Sequence, residues 1–225
     1  MNKTRQPPAA IFFDLDGTLA DTAPDLAGAL NRLRAERNLL PLPLSTLRPF
    51  VSAGARGLLA AGLSLQPTDS GYPAAQARFL ALYEQHIDDK TQLFDGMAEC
   101  LDHLDNIGLP WGIVTNKALR FAQPLIEGLN LTHRTACLIG GDSTPNPKPH
   151  PAPLRLAAEI AQVPPEQCLY IGDDERDIIA AQAASMTAVA AAWGYLGNET
   201  PLANWNADLI FSTPQDILRF ISPNR

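Results

Sequence analysis

The chain has 225 residues, of which 46% are hydrophobic, a composition typical of a globular protein with one substantial core. Its 17 basic and 24 acidic residues give a net charge of −7, and no run of Lys and Arg could neutralise a nucleic-acid backbone. Nucleic acid and anionic membranes are therefore not expected as partners. An anionic ligand would have to be attracted locally, by a metal ion, a lysine or backbone N–H groups.

The cysteines and the apolar runs predict a cytoplasmic protein. Cys100, Cys137 and Cys168 are odd in number and widely spaced, which favours buried free thiols in a reducing compartment over disulfides. The apolar run at residues 9–13 is too short for a signal peptide. The run at residues 186–193 is far below the roughly 18 residues that a membrane helix needs.

Short apolar runs alternate with helical patterns along much of the chain. Most of these runs are continuously apolar, as expected for strands of a parallel sheet that is covered on both faces. A strand followed by a helix, repeated several times, predicts a doubly wound α/β sheet. The predicted strands are residues 10–13, 111–114, 136–139, 168–171 and 187–192, with a sixth candidate at residues 207–211.

The interval between the first two of these strands is different, because it has helical patterns without a convincing strand. Pro24 suits the first turn of a helix, with Thr22 as its possible cap. We predict a core domain of residues 1–20 and 93–225, with a helical cap domain of residues 21–92 over the carboxyl edge of the sheet. One apolar stripe of this cap comprises Leu26, Leu30 and Leu33.

Acidic residues follow two of the predicted strands. Asp14 and Asp16 follow the first strand and would point to the same side, with Gly17 allowing a sharp turn. Asp173 and Asp177 follow the fourth strand and share a face if a helix begins there. Where strand ends meet, four carboxylates would converge and repel one another, which favours a bound cation. A site made only of oxygen ligands favours Mg²⁺.

Aspartates at strand ends can also cap the next helix or form a turn. We favour that simpler interpretation for Asp174. We disfavour it for Asp14 and Asp16, because the two together directly follow a fully apolar strand.

Two further strand ends carry groups suited to phosphate. Thr115 and Asn116 follow the second strand and offer a hydroxyl and an amide to phosphate oxygens. Lys148 lies between Pro147 and Pro149, whose φ angles are preset, and could act as a point charge against phosphate and carboxylate. The alternative for Lys148 is an ordinary solvated loop lysine.

Together these segments resemble the four ordered motifs of the haloacid dehalogenase superfamily. The resemblance spans nearly the whole chain, and it implies a Rossmann-like parallel-sheet core with that superfamily's four-helix type of cap. The segments are Asp14-Leu15-Asp16-Gly17-Thr18, the strand end at Thr115, Lys148-Pro149, and Gly172-Asp173-Asp174 with Asp177.

The resemblance implies a phosphatase mechanism and assigns roles to the residues. Asp14 would attack phosphorus to form an aspartyl-phosphate, and Asp16 would act first as general acid and then as general base. Mg²⁺ would be held by Asp14, the backbone carbonyl of Asp16 and Asp173, with Asp177 assisting through water or from outside the direct ligands. The phosphoryl oxygens and the nucleophile would be held by Thr115, Asn116 and Lys148.

Within the superfamily, residues 51–56, 93–99 and 111–117 are similar to the phosphoglycolate phosphatase group, and most similar to N-acetylmuramic acid 6-phosphate phosphatases of cell-wall recycling. The expected substrate is therefore a small phosphorylated metabolite, either N-acetylmuramic acid 6-phosphate or 2-phosphoglycolate. Arg56 is a candidate to bind a substrate carboxylate, the alternative being an exposed helix-surface arginine. Asp174 departs from the group, because many relatives carry Ser or Thr there.

Two other functions remain open at this point. A phosphosugar mutase uses a similar pair of aspartates but returns the phosphoryl group to its intermediate. A non-catalytic domain could keep the fold and only bind phosphate, although every residue needed for turnover is present.

Overall fold

A parallel β-sheet forms the centre of the protein in the computed structural model, which describes residues 7–197 and 200–222. Six strands pair in the order β5-β4-β1-β6-β7-β8, all parallel, and β2 and β3 form a separate antiparallel pair. The strands of the described residues are β1 (Ala10–Phe13), β2 (Ala20–Asp21), β3 (Gln92–Leu93), β4 (Trp111–Val114), β5 (Leu138–Ile139), β6 (Cys168–Gly172), β7 (Thr187–Ala191) and β8 (Leu209–Phe211).

Helices connect these strands and cover both faces of the sheet. Ile11 and Phe13 of β1 belong to a buried cluster on one face, whereas Ala10 and Phe12 belong to a cluster on the other. The doubly wound α/β fold is therefore confirmed. The helices are α1 (Ala23–Glu36), α2 (Leu44–Leu47), α3 (Gly54–Leu63), α4 (Tyr72–Glu84), α5 (Met97–Asn106), α6 (Leu119–Gly128), α7 (Ala152–Ala161), α8 (Glu175–Ala183) and α9 (Gln215–Ile221).

The first two core strands have the predicted bounds, because both are continuously apolar and lie inside the sheet. The strand predicted at 136–139 begins only at Leu138, and the one predicted at 207–211 begins only at Leu209. Both lie at the edges of the sheet, where pairing on one side supports fewer residues. The strand predicted at 168–171 extends by one residue to Gly172, and the one predicted at 187–192 ends one residue early, at Ala191.

Helices α1 to α4, with a 3-10 turn at Arg48–Ala53, form what we call the helical segment (residues 23–84). Leu26, Leu30 and Leu33 are buried, as the stripe predicts. Pro24 lies in the first turn of α1, but Thr22 is not a side-chain cap: its hydroxyl donates to Asp16 instead. The ribbon of β2 and β3 joins the segment to the sheet at both ends.

Two predictions about the rest of the chain can be compared with the structure. The three cysteines are free and buried. No helix in the described ranges has both the length and the apolar character needed to cross a bilayer.

Candidate active site

A cavity of about 390 Å³ lies between the carboxyl ends of the central strands and the helical segment. Its volume falls within the range of small-molecule sites, roughly 300 to 1,000 Å³. The sheet side contributes the predicted polar residues Asp14, Asp16, Thr115, Asn116, Lys148, Asp173 and Asp177. The carboxyl edge of a parallel sheet is where this fold places its ligands, because strand ends and helix starts converge there.

The chain leaves the sheet sharply after β1. Asp14 still continues the ladder, its N–H donating to the carbonyl of Ile171 at 2.9 Å, but Gly17 has a φ of +87°. A Cβ on Gly17 would lie 2.2 Å from Oδ2 of Asp173. Glycine is therefore required here twice, for its backbone conformation and for the close approach of Asp173.

Gly17→Ala should destabilise the protein more than a positive φ alone explains. Gly108→Ala is the matched control, since Gly108 has a φ of +66° and open space around its Cβ position. We expect the control to lose about 1 kcal/mol of unfolding free energy and Gly17→Ala at least about 2 kcal/mol more, because Asp173 must move. Urea denaturation measures both, and equal losses would contradict the clash.

Three carboxylates converge in the cavity. One oxygen from each of Asp14, Asp173 and Asp177 lies within 4.8 Å of the other two, and all three residues are buried. Asp16 is not part of this group, so the expectation of four converging carboxylates is wrong for Asp16. Side chains two residues apart share a side only within a strand, and here the chain turns after Asp14 instead of continuing as a strand.

Asp173 is held tightly within this group. Its Oδ1 accepts from the Thr18 hydroxyl at 2.9 Å, and its Oδ2 accepts from the backbone N–H of Tyr195 at 2.8 Å. Burial raises the pKa of Asp173 well above its usual value, and the charges of Asp14 and Asp177 add to the shift. These hydrogen bonds oppose the shift without cancelling it.

Lys148 provides the positive charge of the site. Its Nζ is buried and lies 2.7 Å from Asp177 Oδ1 and 2.9 Å from Asp14 Oδ1. It also donates to the Val114 carbonyl at 3.0 Å and to the Tyr170 hydroxyl at 2.6 Å. Burial alone would lower the pKa of Lys148, but the two carboxylates outweigh it and the pKa is raised. The interpretation of a solvated loop lysine is therefore wrong.

Asp14 Oδ1 still lacks a hydrogen-bond donor among the described residues. The Lys148 ammonium donates to Val114, Tyr170 and Asp177, and its 2.9 Å contact with Asp14 Oδ1 is an ion pair. A buried carboxylate oxygen without a donor normally has another partner. Three buried carboxylates that converge within 4.8 Å of one another fit a hard divalent cation.

Magnesium should stabilise the protein, and more so at higher pH. Burial raises the pKa of Asp177 to about 7, with Asp14 adding to the shift and Lys148 opposing it. In the metal-free protein this carboxyl favours folding while protonated, so its contribution is lost as pH rises from about 4 to 7. A cation present at 100 times its Kd adds about 2.7 kcal/mol to the free energy of unfolding. Below about pH 7, protons compete with the cation for the carboxylates and reduce this gain.

Thermal denaturation with and without MgCl₂ between pH 5 and 8 measures this effect. We expect the increase in Tm caused by Mg²⁺ to grow with pH, and Asp173→Asn to lose most of that increase. An increase of the same size at both ends of the range would contradict the assignment.

Asp174 caps helix α8, as the simpler interpretation predicted. Its side chain accepts from the backbone N–H of Arg176 at 2.9 Å, and Asp177 Oδ2 accepts from the backbone N–H of Asp174 at 3.1 Å. This reciprocal capping box fixes Asp177 as well as the start of the helix. Asp177 thus orients α8 with one oxygen and contacts Lys148 with the other.

Thr115 and Asn116 both line the cavity, but the Asn116 amide is engaged elsewhere. Its oxygen accepts from the N–H of Lys148 and its nitrogen donates to the carbonyl of Lys148, both at 2.9 Å. Asn116 therefore clamps the backbone of the Lys148 loop, rather than presenting its amide to phosphate as predicted. The buried Thr115 hydroxyl accepts from the N–H of Lys117 at 3.2 Å and keeps its own proton available.

Asp16 has a partner that sequence reasoning did not identify. Lys117 Nζ lies 2.8 and 3.1 Å from the two Asp16 oxygens, and the Thr22 hydroxyl donates to the same carboxylate. Burial opposes the charge of Lys117, but Asp16 outweighs it and raises the pKa of Lys117. The ammonium also lies over the Tyr83 ring, 4.8 Å from its centroid. The signal in the sequence was only that Lys117 follows the Thr115-Asn116 strand end.

Arg56 is not among the residues that line this cavity. Its side chain is exposed and lines a neighbouring cavity of about 230 Å³. Two other arginines line the main cavity. Arg176 pairs with both oxygens of Asp174 and donates to the Ser52 carbonyl at 2.7 Å, which joins α8 to the helical segment. Arg120 is exposed at the cavity edge, 4.4 Å from the Phe121 ring centroid.

The aromatic residues near the last strands serve mainly in packing. Tyr195 and Trp205 are buried, and Tyr195 also reaches the site, because its backbone N–H donates to Asp173. Trp193 is partly buried, and its indole N–H donates to the Thr18 carbonyl at 3.0 Å. Core aromatics therefore stabilise the loop that follows β1.

Comparison with known proteins identifies the family. A model of the haloacid dehalogenase-like hydrolase family matches residues 11–191, which is most of the chain. The chain belongs to this family, and the resemblance is confirmed.

Phosphatases are among the relatives of this chain. A phosphoglycolate phosphatase of Xanthomonas campestris pv. campestris (strain 8004) is 45% identical over 211 residues, 93% of this chain and 95% of that protein. An N-acetylmuramic acid 6-phosphate phosphatase of Pseudomonas putida is 38% identical over 212 residues, 94% and 95% of the two chains. The crystal structure of a predicted phosphoglycolate phosphatase from Haemophilus somnus 129pt has a TM-score of 0.82 and 29% identity, covering 94% and 96%. The chain is accordingly a phosphomonoesterase of the family.

Proposed function

We propose that this enzyme is a Mg²⁺-dependent phosphatase of small phosphorylated metabolites that acts through an aspartyl-phosphate at Asp14. The observation that carries the proposal is the buried group of Asp14, Asp173 and Asp177 beside Lys148 at the cavity. The Asp14 carboxylate lines the cavity beside the Lys148 ammonium, and this setting suits a nucleophile.

Two steps complete the reaction. A carboxylate oxygen of Asp14 forms a bond to phosphorus while the bond from phosphorus to the substrate's alcohol oxygen breaks, and Asp16 gives its proton to that oxygen. Water then attacks phosphorus, Asp16 takes a proton from the water, and the aspartyl-phosphate bond breaks to release inorganic phosphate. Lys117 and Thr22 position Asp16 for both proton transfers.

Asp14 and Asp173 are the residues proposed to hold the cation, with the backbone carbonyl of Asp16 as a further ligand and Asp177 assisting. When bound, Mg²⁺ supplies positive charge that offsets the repulsion between carboxylates and phosphoryl oxygens. Lys148 forms ion pairs with both Asp14 and Asp177 and holds the two carboxylates in place. Thr115 is positioned to donate its hydroxyl proton to a phosphoryl oxygen, while Asn116 keeps the Lys148 loop in place.

We propose that residues 21–92 act as a cap domain on a core of residues 1–20 and 93–225. The β2–β3 ribbon lies at both junctions and leaves only two chain crossings between them. The contact between Arg176 and the Ser52 carbonyl links the two parts across the cavity. We also propose a cytoplasmic location, supported by three buried free cysteines.

Inorganic phosphate release tests the function. We expect release from 2-phosphoglycolate or N-acetylmuramic acid 6-phosphate to require Mg²⁺ and to be lost with EDTA. A phosphosugar mutase would instead convert a sugar phosphate to its isomer without releasing stoichiometric phosphate. If no monoester tested gives either inorganic phosphate or an isomeric sugar phosphate, the proposal is overturned.

The covalent intermediate has its own test. Asp16→Asn lacks the base for the second step, so the variant should accumulate a phosphoenzyme from p-nitrophenyl phosphate, whose leaving group needs no acid. Mass spectrometry of the acid-quenched protein should show one added phosphoryl group that hydroxylamine removes. Asp14→Asn in the same background should not be labelled, and labelling elsewhere would reject Asp14 as the nucleophile.

A further inference from the structure

The cavity contains two unpaired polar groups that the chemistry above does not use. Among the described residues, three buried side-chain polar atoms have no hydrogen-bond partner: Asp14 Oδ1, Ser52 Oγ and the Tyr83 hydroxyl. All three residues line the same cavity. Asp14 follows β1, whereas Ser52 and Tyr83 belong to the helical segment and line the opposite side of the cavity with their hydroxyl oxygens buried.

Buried polar groups in native proteins are nearly always satisfied, so an unpaired pair facing one cavity points to a ligand. Tyr83 is 2% exposed, and burial raises its pKa to about 12, which keeps the hydroxyl neutral. Lys117 donates to both oxygens of Asp16 and lies over the Tyr83 ring, and its positive charge opposes this rise in the pKa of Tyr83.

The phosphoryl group and the leaving group require different parts of the cavity. The phosphoryl group must lie at Asp14, on the sheet side. The alcohol portion of the substrate then extends toward the helical segment, where the two hydroxyl side chains meet an apolar wall. That wall includes Leu26, Val51, Phe79 and Phe121.

The size of the cavity agrees with this division. The 390 Å³ cavity falls within the range of sites that bind drug-sized ligands, so it offers more space than a two-carbon hydroxy acid fills beside its phosphate. An apolar wall with two hydroxyl groups suits a carbon ring that bears hydroxyl or amide substituents. A two-carbon acid has no such groups to reach Ser52 and Tyr83.

We propose that Ser52 and Tyr83 are specificity-determining residues that hydrogen-bond the leaving group, and that the substrate is the phosphomonoester of a ring-sized polyhydroxylated alcohol. This inference rests on the proposed phosphatase function of the same site. It assigns Ser52 and Tyr83 the recognition of substrate hydroxyl or amide groups, and it assigns the phosphoryl group to the sheet side.

Steady-state kinetics of Ser52→Ala, Tyr83→Phe and the double variant test the inference. The ring-sized probes are N-acetylmuramic acid 6-phosphate and glucose 6-phosphate, and the two-carbon probe is 2-phosphoglycolate. We expect wild type to prefer a ring-sized probe, and each substitution to lower the ratio of kcat/KM for that probe over 2-phosphoglycolate by about tenfold or more. The double variant should lower the ratio further.

Two controls separate recognition from a structural effect. Tyr72→Phe lies on the same helix as Tyr83, and Ser45→Ala is exposed on α2; neither residue lines the cavity, and both variants should leave the ratio unchanged. Tyr83→Phe should have a Tm no lower than wild type, because the hydroxyl that it removes has no partner in the free protein.

The outcomes distinguish this inference from the proposed function. Mg²⁺-dependent turnover with a ratio that Ser52→Ala and Tyr83→Phe leave unchanged would overturn the inference alone. A wild-type preference for 2-phosphoglycolate would overturn it as well. No Mg²⁺-dependent turnover of any probe would overturn the proposed function, and the inference with it.

Discussion

Asp14→Asn should lower kcat for p-nitrophenyl phosphate by about 10⁴-fold or more, the scale seen when an enzyme loses its nucleophile. An amide cannot form the acyl phosphate, and the aryl leaving group needs no acid, so the loss reports the nucleophile alone. The measurement is kcat under saturating Mg²⁺.

In the absence of metal, Asp14→Asn should be at least as stable as the wild-type protein. Asp14→Asn removes one of three buried charges, so repulsion with Asp173 and Asp177 falls. We expect the metal-free Tm to stay the same or rise, although the ion pair with Lys148 is lost. Asp95→Asn, an exposed position, is the control for loss of a negative charge. Turnover by Asp14→Asn at more than a few per cent of the wild-type rate would reject the mechanism.

Lys148→Met should destabilise the metal-free protein by about 3 to 5 kcal/mol, the scale expected when a buried ion pair loses one partner. The variant leaves Asp14 and Asp177 without their buried cation, and the Tyr170 hydroxyl and Val114 carbonyl lose the Nζ contact. Phosphatase activity should also fall by about 10² to 10³-fold, because Lys148 no longer stabilises the developing negative charge.

The pH dependence of this loss identifies its cause. Lys148 opposes the upward shift in the pKa of Asp177, so without Lys148 that pKa rises further and the variant is least stable at a pH where Asp177 must ionise. The difference in unfolding free energy between wild type and Lys148→Met should therefore be larger at pH 8 than at pH 5, and Mg²⁺ should restore part of it. Lys90→Met, which alters an exposed lysine, should show neither effect. A difference independent of pH would indicate lost packing instead of lost charge.

The parts of the site that sequence reasoning placed correctly follow from one topological rule. Asp14, Thr115, Lys148 and Asp173 come after predicted strands, and the ends of parallel strands meet at one edge. The bounds of β1 and β4 could be predicted because buried central strands are continuously apolar. The edge strands β5 and β8 and the two-residue ribbon were misjudged or missed, since so few residues have no periodicity to detect.

Side-chain directions after a strand ends could not be predicted in the same way. Asp16 turns toward Lys117 and away from the acidic group, and Asn116 binds the Lys148 backbone. Both outcomes depend on partners distant in the chain, whose positions follow from the packing of the whole sheet. Arg56 was chosen from its local setting, whereas Arg176 lines the cavity because α8 begins at its edge.

The sequence by itself determined the family, the α/β architecture and the residues at the strand ends, because apolar periodicity and short motifs are local properties of the chain. Only the tertiary structure decided which carboxylates share a site, which lysine pairs with Asp16 and which groups of the helical segment face the cavity. Those relations join residues far apart in the chain, such as the 101 positions between Asp16 and Lys117. The physical reason is that burial and charge pairing depend on distances in space, which packing sets.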